Sequence, residues 1–188
     1  MDVFEINDAL RNIVVLVDTR EQNTAAFRAR LKMMDYPHER QKLDFGDYSA
    51  KCLTANGWID FSNCFAIERK MNLDELCHCY CQDRKRFERE FERARAAKAK
   101  LYLLIENASF EKAYGGEYRS QMLPQALMAS MLAWLARYDC QLLFCDRKTS
   151  GMLIKDIIYR EIKERLERGD FDGFQASGAD NNGIGDDE

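Results

Sequence analysis

Residues 43–74 read LDFGDYSAKCLTANGWIDFSNCFAIERKMNLD. Asn56-Gly57 lies between two strand-like runs and predicts a hairpin, because a type I′ turn needs positive φ at both centres. The second run ends in Cys64-Phe65-Ala66-Ile67-Glu68-Arg69-Lys70. Side chains alternate faces along a strand. Phe65, Ile67 and Arg69 therefore share one face, and Glu68 and Lys70 the other. In the first run the parity changes: Leu43 and Phe45 set one apolar phase, and Tyr48, Ala50 and Cys52 the opposite one. The change falls at Gly46-Asp47, and a glycine there suggests a kink that re-aims the next side chain. Asp47 is thus expected to face Glu68 and Lys70. Two carboxylates and a lysine on one surface suit metal-assisted phosphodiester chemistry. Mg²⁺ takes carboxylate, water and phosphate oxygens, and a bound metal polarises the phosphodiester and acidifies its water. A neighbouring lysine orients that water or stabilises charge on the phosphate. The same residues also read as a surface strand of alternating charge with an Asp in a turn, since structural ion pairs are common.

Outward from this stretch the chain alternates strands and helices. Residues 1–12 form a weak amphipathic lead-in, and Ile13–Val17 a strand buried on both faces, ending at Asp18. Asn23 is the expected cap of a helix with Phe27, Leu31 and Met34 inward; Arg28, Arg30 and Lys32 lie off that stripe and read as solvated, with DNA contact the alternative. Residues 39–54 and 58–69 form the hairpin. Leu73 opens what reads as the longest helix, to about Lys98, with Leu76, Tyr80, Phe87, Phe91 and Ala94 inward. Its basic residues read either as i,i+4 pairs, with Glu88 and Glu92 facing Arg84, Lys85 and Arg89, or as a phosphate-contacting face. Leu101–Ile105 is another buried strand, ending at Glu106. A short helical turn and a Gly115-Gly116 loop follow. A helix starts at Ser120 or Met122, with Pro124 in its first turn and Leu123, Leu127, Met131, Trp134 and Tyr138 on its core face. Gln141–Cys145 is a strand, and Thr149 or Ser150 caps a last helix that stops at Gly169. The order β-α-β-β-β-α-β-α-β-α fits an α/β fold with a mixed central sheet flanked by helices.

Composition narrows the function classes. The 188 residues suit one domain over 1–168 and an acidic, disordered tail over 169–188, whose Gly/Asp/Asn-rich sequence lacks apolar content. The net charge is −4, but the tail carries six acids and no Lys or Arg, so the remainder is +2. Mild basicity leaves room for a local phosphate-binding surface. No apolar run is long enough for a membrane span, and the acid-bearing start does not read as a signal peptide. Seven scattered cysteines argue for reduced thiols and a cytoplasmic setting. Cys77, Cys79 and Cys81 invite a zinc reading, but on a helix only Cys77 and Cys81 share a face, and packed thiols are the simpler account.

Three blocks stand in order: Val17-Asp18-Thr19-Arg20-Glu21, Gly46-Asp47-Tyr48, and Ile67-Glu68-Arg69-Lys70-Met71-Asn72-Leu73-Asp74. Together they resemble the V-x-D-x-R-E, G-D and E-R-K-x-x-x-D blocks of the XPF-type structure-specific nuclease domain, a branch of the restriction-endonuclease-like superfamily. The resemblance covers about residues 13–165 and implies a restriction-endonuclease-like core. It implies a Mg²⁺- or Mn²⁺-dependent DNA endonuclease leaving a 5′-phosphate and a 3′-hydroxyl. Asp47 and Glu68 would be metal ligands, Asp18 a third ligand or the holder of a metal-bound water, and Lys70 the catalytic lysine. Arg69, Arg20, Glu21 and Asp74 match motif positions. By strand parity Arg69 points away from Glu68, toward an acid such as Glu21 or Asp74. Asp74 also fits the first turn of a helix, where Asn72-x-x-Glu75 resembles a capping box. Gln82, Arg84 and Arg86 are the expected DNA contacts.

Cellular members of the family carry a C-terminal tandem helix-hairpin-helix module, for which the residues after the last helix are too few. The resemblance is thus to stand-alone phage or prophage nuclease domains acting in DNA recombination or repair. A homodimer through the last two helices, or a partner protein supplying structure recognition, is the expectation. The competing readings are a non-catalytic nuclease-fold subunit that binds DNA or a partner, which would be expected to have lost these acids and the lysine, and a zinc-stabilised interaction protein.

Overall fold

The computed structural model describes residues 1–170; the tail expected over 169–188 lies, from residue 171 on, outside the described residues. The elements are α1 (Val3–Arg11), β1 (Ile13–Asp18), α2 (Ala25–Met34), β2 (His38–Gln41), β3 (Tyr48–Thr54), β4 (Gly57–Asp60) and β5 (Phe65–Lys70). They continue with α3 (Leu73–Cys81), α4 (Arg84–Ala96), β6 (Lys100–Glu106), α5 (Phe110–Gly115), α6 (Pro124–Tyr138), β7 (Gln141–Cys145) and α7 (Ser150–Arg168). The sheet runs β2-β1-β3-β5-β6-β7, with β4 paired to β3. β1–β2, β5–β6 and β6–β7 are parallel, and the pairs made by β3 are antiparallel. This is the expected α/β fold with a mixed central sheet between helices.

Strand alternation divides the interior into two cores. Phe65, Ile67, Tyr48, Ala50 and Val17 pack with α1, α2 and α7 on one face. Ala66, Phe45, Leu103 and Ile105 pack with α3, α4 and α6 on the other. The parity change at Gly46 is therefore present: Phe45 belongs to one core and Tyr48 to the other. Gly46 has φ +72°, and a Cβ there would lie 2.7 Å from the Ala66 Cβ. Only glycine both adopts that conformation and lets the backbones approach so closely. The Asp47 backbone then bridges the sheet, donating to the Ile67 carbonyl at 2.9 Å and accepting from the Asp18 N–H at 2.9 Å.

Several sequence expectations are corrected. The hairpin turn centres on Ala55-Asn56 rather than Asn56-Gly57, with Thr54 paired to Gly57. Gly57 alone of the four has positive φ, and the Thr54 hydroxyl stitches the turn to the Gly57 carbonyl at 2.8 Å. Residues 38–41 pair in parallel with β1 rather than joining the hairpin. The run expected over 58–69 is split at Phe61–Cys64 into β4 and β5. The helix expected from Leu73 to Lys98 is two helices, and α7 is longer, at 19 residues. The Gln82 and Asp83 N–H groups both turn back to the His78 carbonyl, while the Asp83 carbonyl starts the next helix. The break lets Tyr80 of α3 and Phe87 and Phe91 of α4 all meet the buried Trp134 ring, 5.0–6.3 Å between centroids. Thr24, not Asn23, caps α2. Helix α6 begins at Pro124, so Leu123 lies before it and is 68% exposed.

Candidate active site

The kink at Gly46, the end of β5 and the loop after β1 converge on a cleft of about 700 Å³ lined by Asp47, Glu68, Lys70, Glu21, Arg20 and Arg86 among others. On the α3/α4 side, Lys70 Nζ lies 2.6 Å from Glu68 Oε1 and 5.2 Å from the Phe87 ring centre. Burial by itself would lower the Lys70 pKa, but Glu68 and Asp47 outweigh it and hold the ammonium well above its ordinary value. Lys70 is therefore a fixed cation, not a proton acceptor at neutral pH. Asp47 Oδ2 accepts the Arg69 N–H at 2.8 Å. Burial first, then the charges of Glu68 and Glu21, push the Asp47 carboxyl well above the usual carboxylate range, against the pull of Lys70.

On the opposite face Arg69 reaches an acid layer. Its Nη1 lies 3.4 Å from Glu106 Oε2, and its Nε 3.6 Å from Glu21 Oε1. The second distance is an ionic contact, and the buried Nε has no hydrogen-bond partner. Glu106, at the end of β6, also takes Nε and Nη2 of Arg30 at 3.2 and 3.1 Å, and Arg30 Nη1 donates to the Tyr48 hydroxyl at 2.9 Å. Arg30, expected to be solvated, is 2% exposed. It is a buried guanidinium whose donors are spent on the residue after Asp47 and on the acid beneath Arg69, a geometry suited to fixing both strands.

The sequence-predicted residues thus divide. Asp47, Glu68, Lys70, Arg69, Arg20 and Glu21 come together at the cleft. Asp18 does not line it. Its Oδ1 accepts from Arg20 N and Nε at 2.8 and 2.6 Å, and its Oδ2 from the Leu43 N–H at 2.8 Å and Arg20 Nη2 at 3.2 Å. Burial pushes its pKa up, but these donors pull it below the ordinary 3.8. With four protein donors, Asp18 is placed to hold Arg20 rather than to ligate metal. Arg20 spans from there to Glu90 Oε1 at 3.1 Å. Asp74 stands apart: it accepts the N–H groups of Arg119 and Ser120 at 2.7 and 3.0 Å and lies 3.3 Å from Arg119 Nε. The helix cap is Asn72, and Glu75 closes back on the Met71 N–H at 2.7 Å. Of the expected DNA contacts only Arg86 lines the cleft. Arg84 lies 5.1 Å over the Trp134 ring, and Gln82 borders a shallow hollow beside Asp74 and Arg119.

Glu90, Glu106 and Arg147 were missed by sequence reasoning, and all three line the cleft. Glu90 is 7% exposed although it sits among surface charges of α4. Burial and Glu68 raise its pKa, offset by Arg20. The available signal was its position three residues after Phe87, on the same helix face. Glu88 and Glu92 make none of the expected pairs with Arg84, Lys85 or Arg89; Glu88 pairs with Arg137 of α6 at 2.9 Å. Arg147 comes from the β7–α7 loop, its N–H held by Asn107 Oδ1 at 3.2 Å.

The residues present fit a hard divalent cation. Asp47 Oδ1 and Glu68 Oε2 accept no hydrogen bond among the described residues, while Asp47 bears the electrostatic cost of facing Glu68 and Glu21 in the same cleft. Among the described residues no three His, Cys, Asp or Glu side chains converge as a complete metal cage. Two carboxylates completed by water and phosphate oxygens match the way Mg²⁺ is held. The zinc reading is not supported: Cys77 and Cys79 are buried, Cys81 is exposed, and all seven thiols are free.

The ERCC4 domain model matches residues 17–157. Among solved structures, XPF from Aeropyrum pernix is 21% identical with a TM-score of 0.55, covering 79% of this chain and 61% of its own. XPF from Aeropyrum pernix in complex with DNA is 22% identical with a TM-score of 0.56, covering 81% of this chain and 66% of its own. The chain thus spans about two thirds or less of the structures it resembles, and the likeness is one of fold. No curated protein matches it.

Proposed function

We propose that this chain, which belongs to the ERCC4 domain family, is a divalent-metal-dependent endonuclease that hydrolyses phosphodiester bonds of DNA in recombination or repair. The observation that carries the reading is Lys70 held 2.6 Å from Glu68 in one cleft with the raised carboxyl of Asp47. Asp47 and Glu68 would hold Mg²⁺ or Mn²⁺, which when bound supplies a polarised phosphate and an acidified water. Lys70, permanently cationic, orients the attacking water and offsets charge gathering on the phosphate. Arg86 and Arg147 reach the cleft from opposite elements and position flanking phosphates. Arg69, clamped by Glu21 and Glu106, keeps the β5 backbone where its N–H fixes Asp47. Branched or flapped DNA is the proposed substrate. The family's assembly with a second copy or a structure-reading partner belongs to the same proposal.

The test is cleavage of labelled single strand, duplex, 3′-flap, fork and four-way junction with Mg²⁺, Mn²⁺ or EDTA. Wild type runs beside Asp47→Ala and Lys70→Ala. Metal-dependent cutting is expected to fall by about 10²–10³ or more in Lys70→Ala, the scale of losing one charge-stabilising group. Folded wild type that cuts nothing under any condition would return the fold to a non-catalytic binding subunit.

A further inference from the structure

Next to the cleft lies a second hollow of about 680 Å³, between α2 and the outermost strand β2. The two flank the same segment, the loop before α2 and its first turn: Gln22, Thr24, Ala25 and Ala26 line the cleft, and Asn23, Phe27 and Arg28 line the hollow. Its floor is apolar, made of buried Phe27 and half-buried Leu31 and Tyr36. Its rim is exposed and cationic, made of Arg28, Lys32 and Arg40 with His38 between them and Asp35 the one acid among the lining residues. Lys155 of α7 adds a further cation 4.9 Å from the Tyr36 ring centre, with Asp156 beside it. Arg28, Lys32, Arg40 and Lys155 thus outnumber Asp35 and Asp156. Glu39, the remaining acid of this edge, is turned to Lys51 at 2.7 Å. Arg40 ties the hollow to the catalytic loop. It lies 5.2 Å over the Phe27 ring, and it donates to the carbonyls of Thr19 and Glu21 at 3.3 and 2.8 Å.

We propose that this groove binds a single-stranded arm of the nucleic acid whose backbone is cut in the cleft, with phosphates on Arg28 and Lys32 and an unpaired base against Tyr36 and Leu31. The proposal rests on the nuclease reading and adds to it a binding groove outside the cleft. A cationic rim over an aromatic floor is the pairing that tracks a single strand, because every base offers a flat face and every residue a phosphate. A duplex offers the rim its phosphates but keeps its bases stacked away from the floor. The shared segment before α2, the Arg40 link to the loop of Arg20 and Glu21, and the cationic rim favour the same nucleic acid over a separate protein partner.

The experiment measures binding of wild type in EDTA, so that nothing is cut, by fluorescence anisotropy. The probes are labelled oligo-dT, a fork with unpaired arms, a blunt duplex and a poly-glutamate peptide. The variants are Arg28→Glu with Lys32→Glu, Lys32→Glu alone and Tyr36→Ala. The single variant is included because Arg28 also braces Asn23 at the start of α2. The double variant is expected to weaken oligo-dT and fork binding at least about tenfold and to flatten the salt dependence by about 1.4, two phosphates at about 0.7 each. Tyr36→Ala is expected to cost the same two probes about tenfold. Duplex binding falls with the double variant but stays within a factor of about two in Tyr36→Ala. Equal losses on duplex and fork in Tyr36→Ala, or binding of the peptide but not of oligo-dT, would overturn the proposal. A wild type that binds and cuts, with all variants unchanged, removes the groove and leaves the nuclease standing. A wild type that cuts nothing in Mg²⁺, while the variants still lose the fork, keeps the groove and removes the nuclease.

Discussion

Gly46 and Asp47 concentrate the demands of the site into two residues. Asp47 must leave the phase of Phe45, bridge β1 and β5 with its backbone, and present its carboxyl to Glu68, and each requirement depends on the positive φ at Gly46. Gly46→Ala is expected to cost about 2–5 kcal/mol, combining left-handed strain with a forced methyl contact. Gly169→Ala is the control. It shares the backbone conformation, φ +73°, but among the described residues a Cβ there meets nothing within 4 Å, so it should cost only about 1–2 kcal/mol. Denaturant midpoints of the two variants make the comparison, and equal losses would mean that the close approach to Ala66 contributes nothing. At this scale much was legible. The parity change and the glycine at it pointed to Asp47, and strand alternation separated Arg69 from Glu68. Two things were not legible. The buried state of Glu90 and Arg30 depends on partners 70 and 76 positions away, Arg20 and Glu106. The saturation of Asp18 depends on the backbone N–H of Leu43, which no motif contains.

At the scale of elements, the last acid of the third motif block does something other than its spacing implied. Asp74 opens α3 but spends its oxygens on the loop between α5 and α6, gripping Arg119, whose side chain is 89% exposed. The grip holds Asp74 ionised, below its ordinary 3.8 despite slight burial. Asp74→Ala is therefore expected to release the Gly116–Leu123 loop. Trypsin should cut after Arg119 several-fold faster, while the far-ultraviolet spectrum and the Lys70–Glu68 geometry stay unchanged. Unchanged proteolysis with a loss of cutting as deep as that of Lys70→Ala would instead place Asp74 in the chemistry. Element existence was readable because the stripes are long and regular. Boundaries were not, because they depend on hydrogen bonds that periodicity does not report. The single helix expected from Leu73 breaks where His78 accepts two N–H groups, and no residue at Gln82-Asp83 forbids continuation. What the break achieves is tertiary: it gathers three aromatic rings on Trp134.

For the whole molecule, the sheet insulates two electrostatic layers from each other. Glu68, Lys70 and Glu90 lie toward α4, and Arg69, Glu106 and Arg30 toward α2 and α7, with Asp47 at the seam. Helix α7 fastens the second layer to the sheet far from the cleft. Glu161 accepts from Lys100 Nζ at 2.7 Å, Tyr102 Oη at 2.6 Å and Arg165 Nε at 3.2 Å, while Arg165 Nη2 donates to the Cys64 carbonyl at 3.1 Å. Burial would raise the Glu161 pKa, but Lys100 and Tyr102 pull it below its ordinary 4.5. A carboxylate depressed by folding binds fewer protons folded than unfolded, so its stabilisation is present above the unfolded value and fades as pH falls through the folded one. Glu161→Gln keeps the shape and loses the charge. It is expected to lower Tm by roughly 3–10 °C at pH 7, the range for hydrogen bonds to a charged group in a domain of this size. The gap to wild type should close as the pH drops below 4.5 toward the depressed value. Thermal melts from pH 7 to pH 3 test this. A gap that stays constant through that range would show that the side chain contributes by packing, because packing does not titrate. A gap that closes would show that the charge of Glu161 joins the start of β6, and through Arg165 the residue before β5, to the helix layer behind the site.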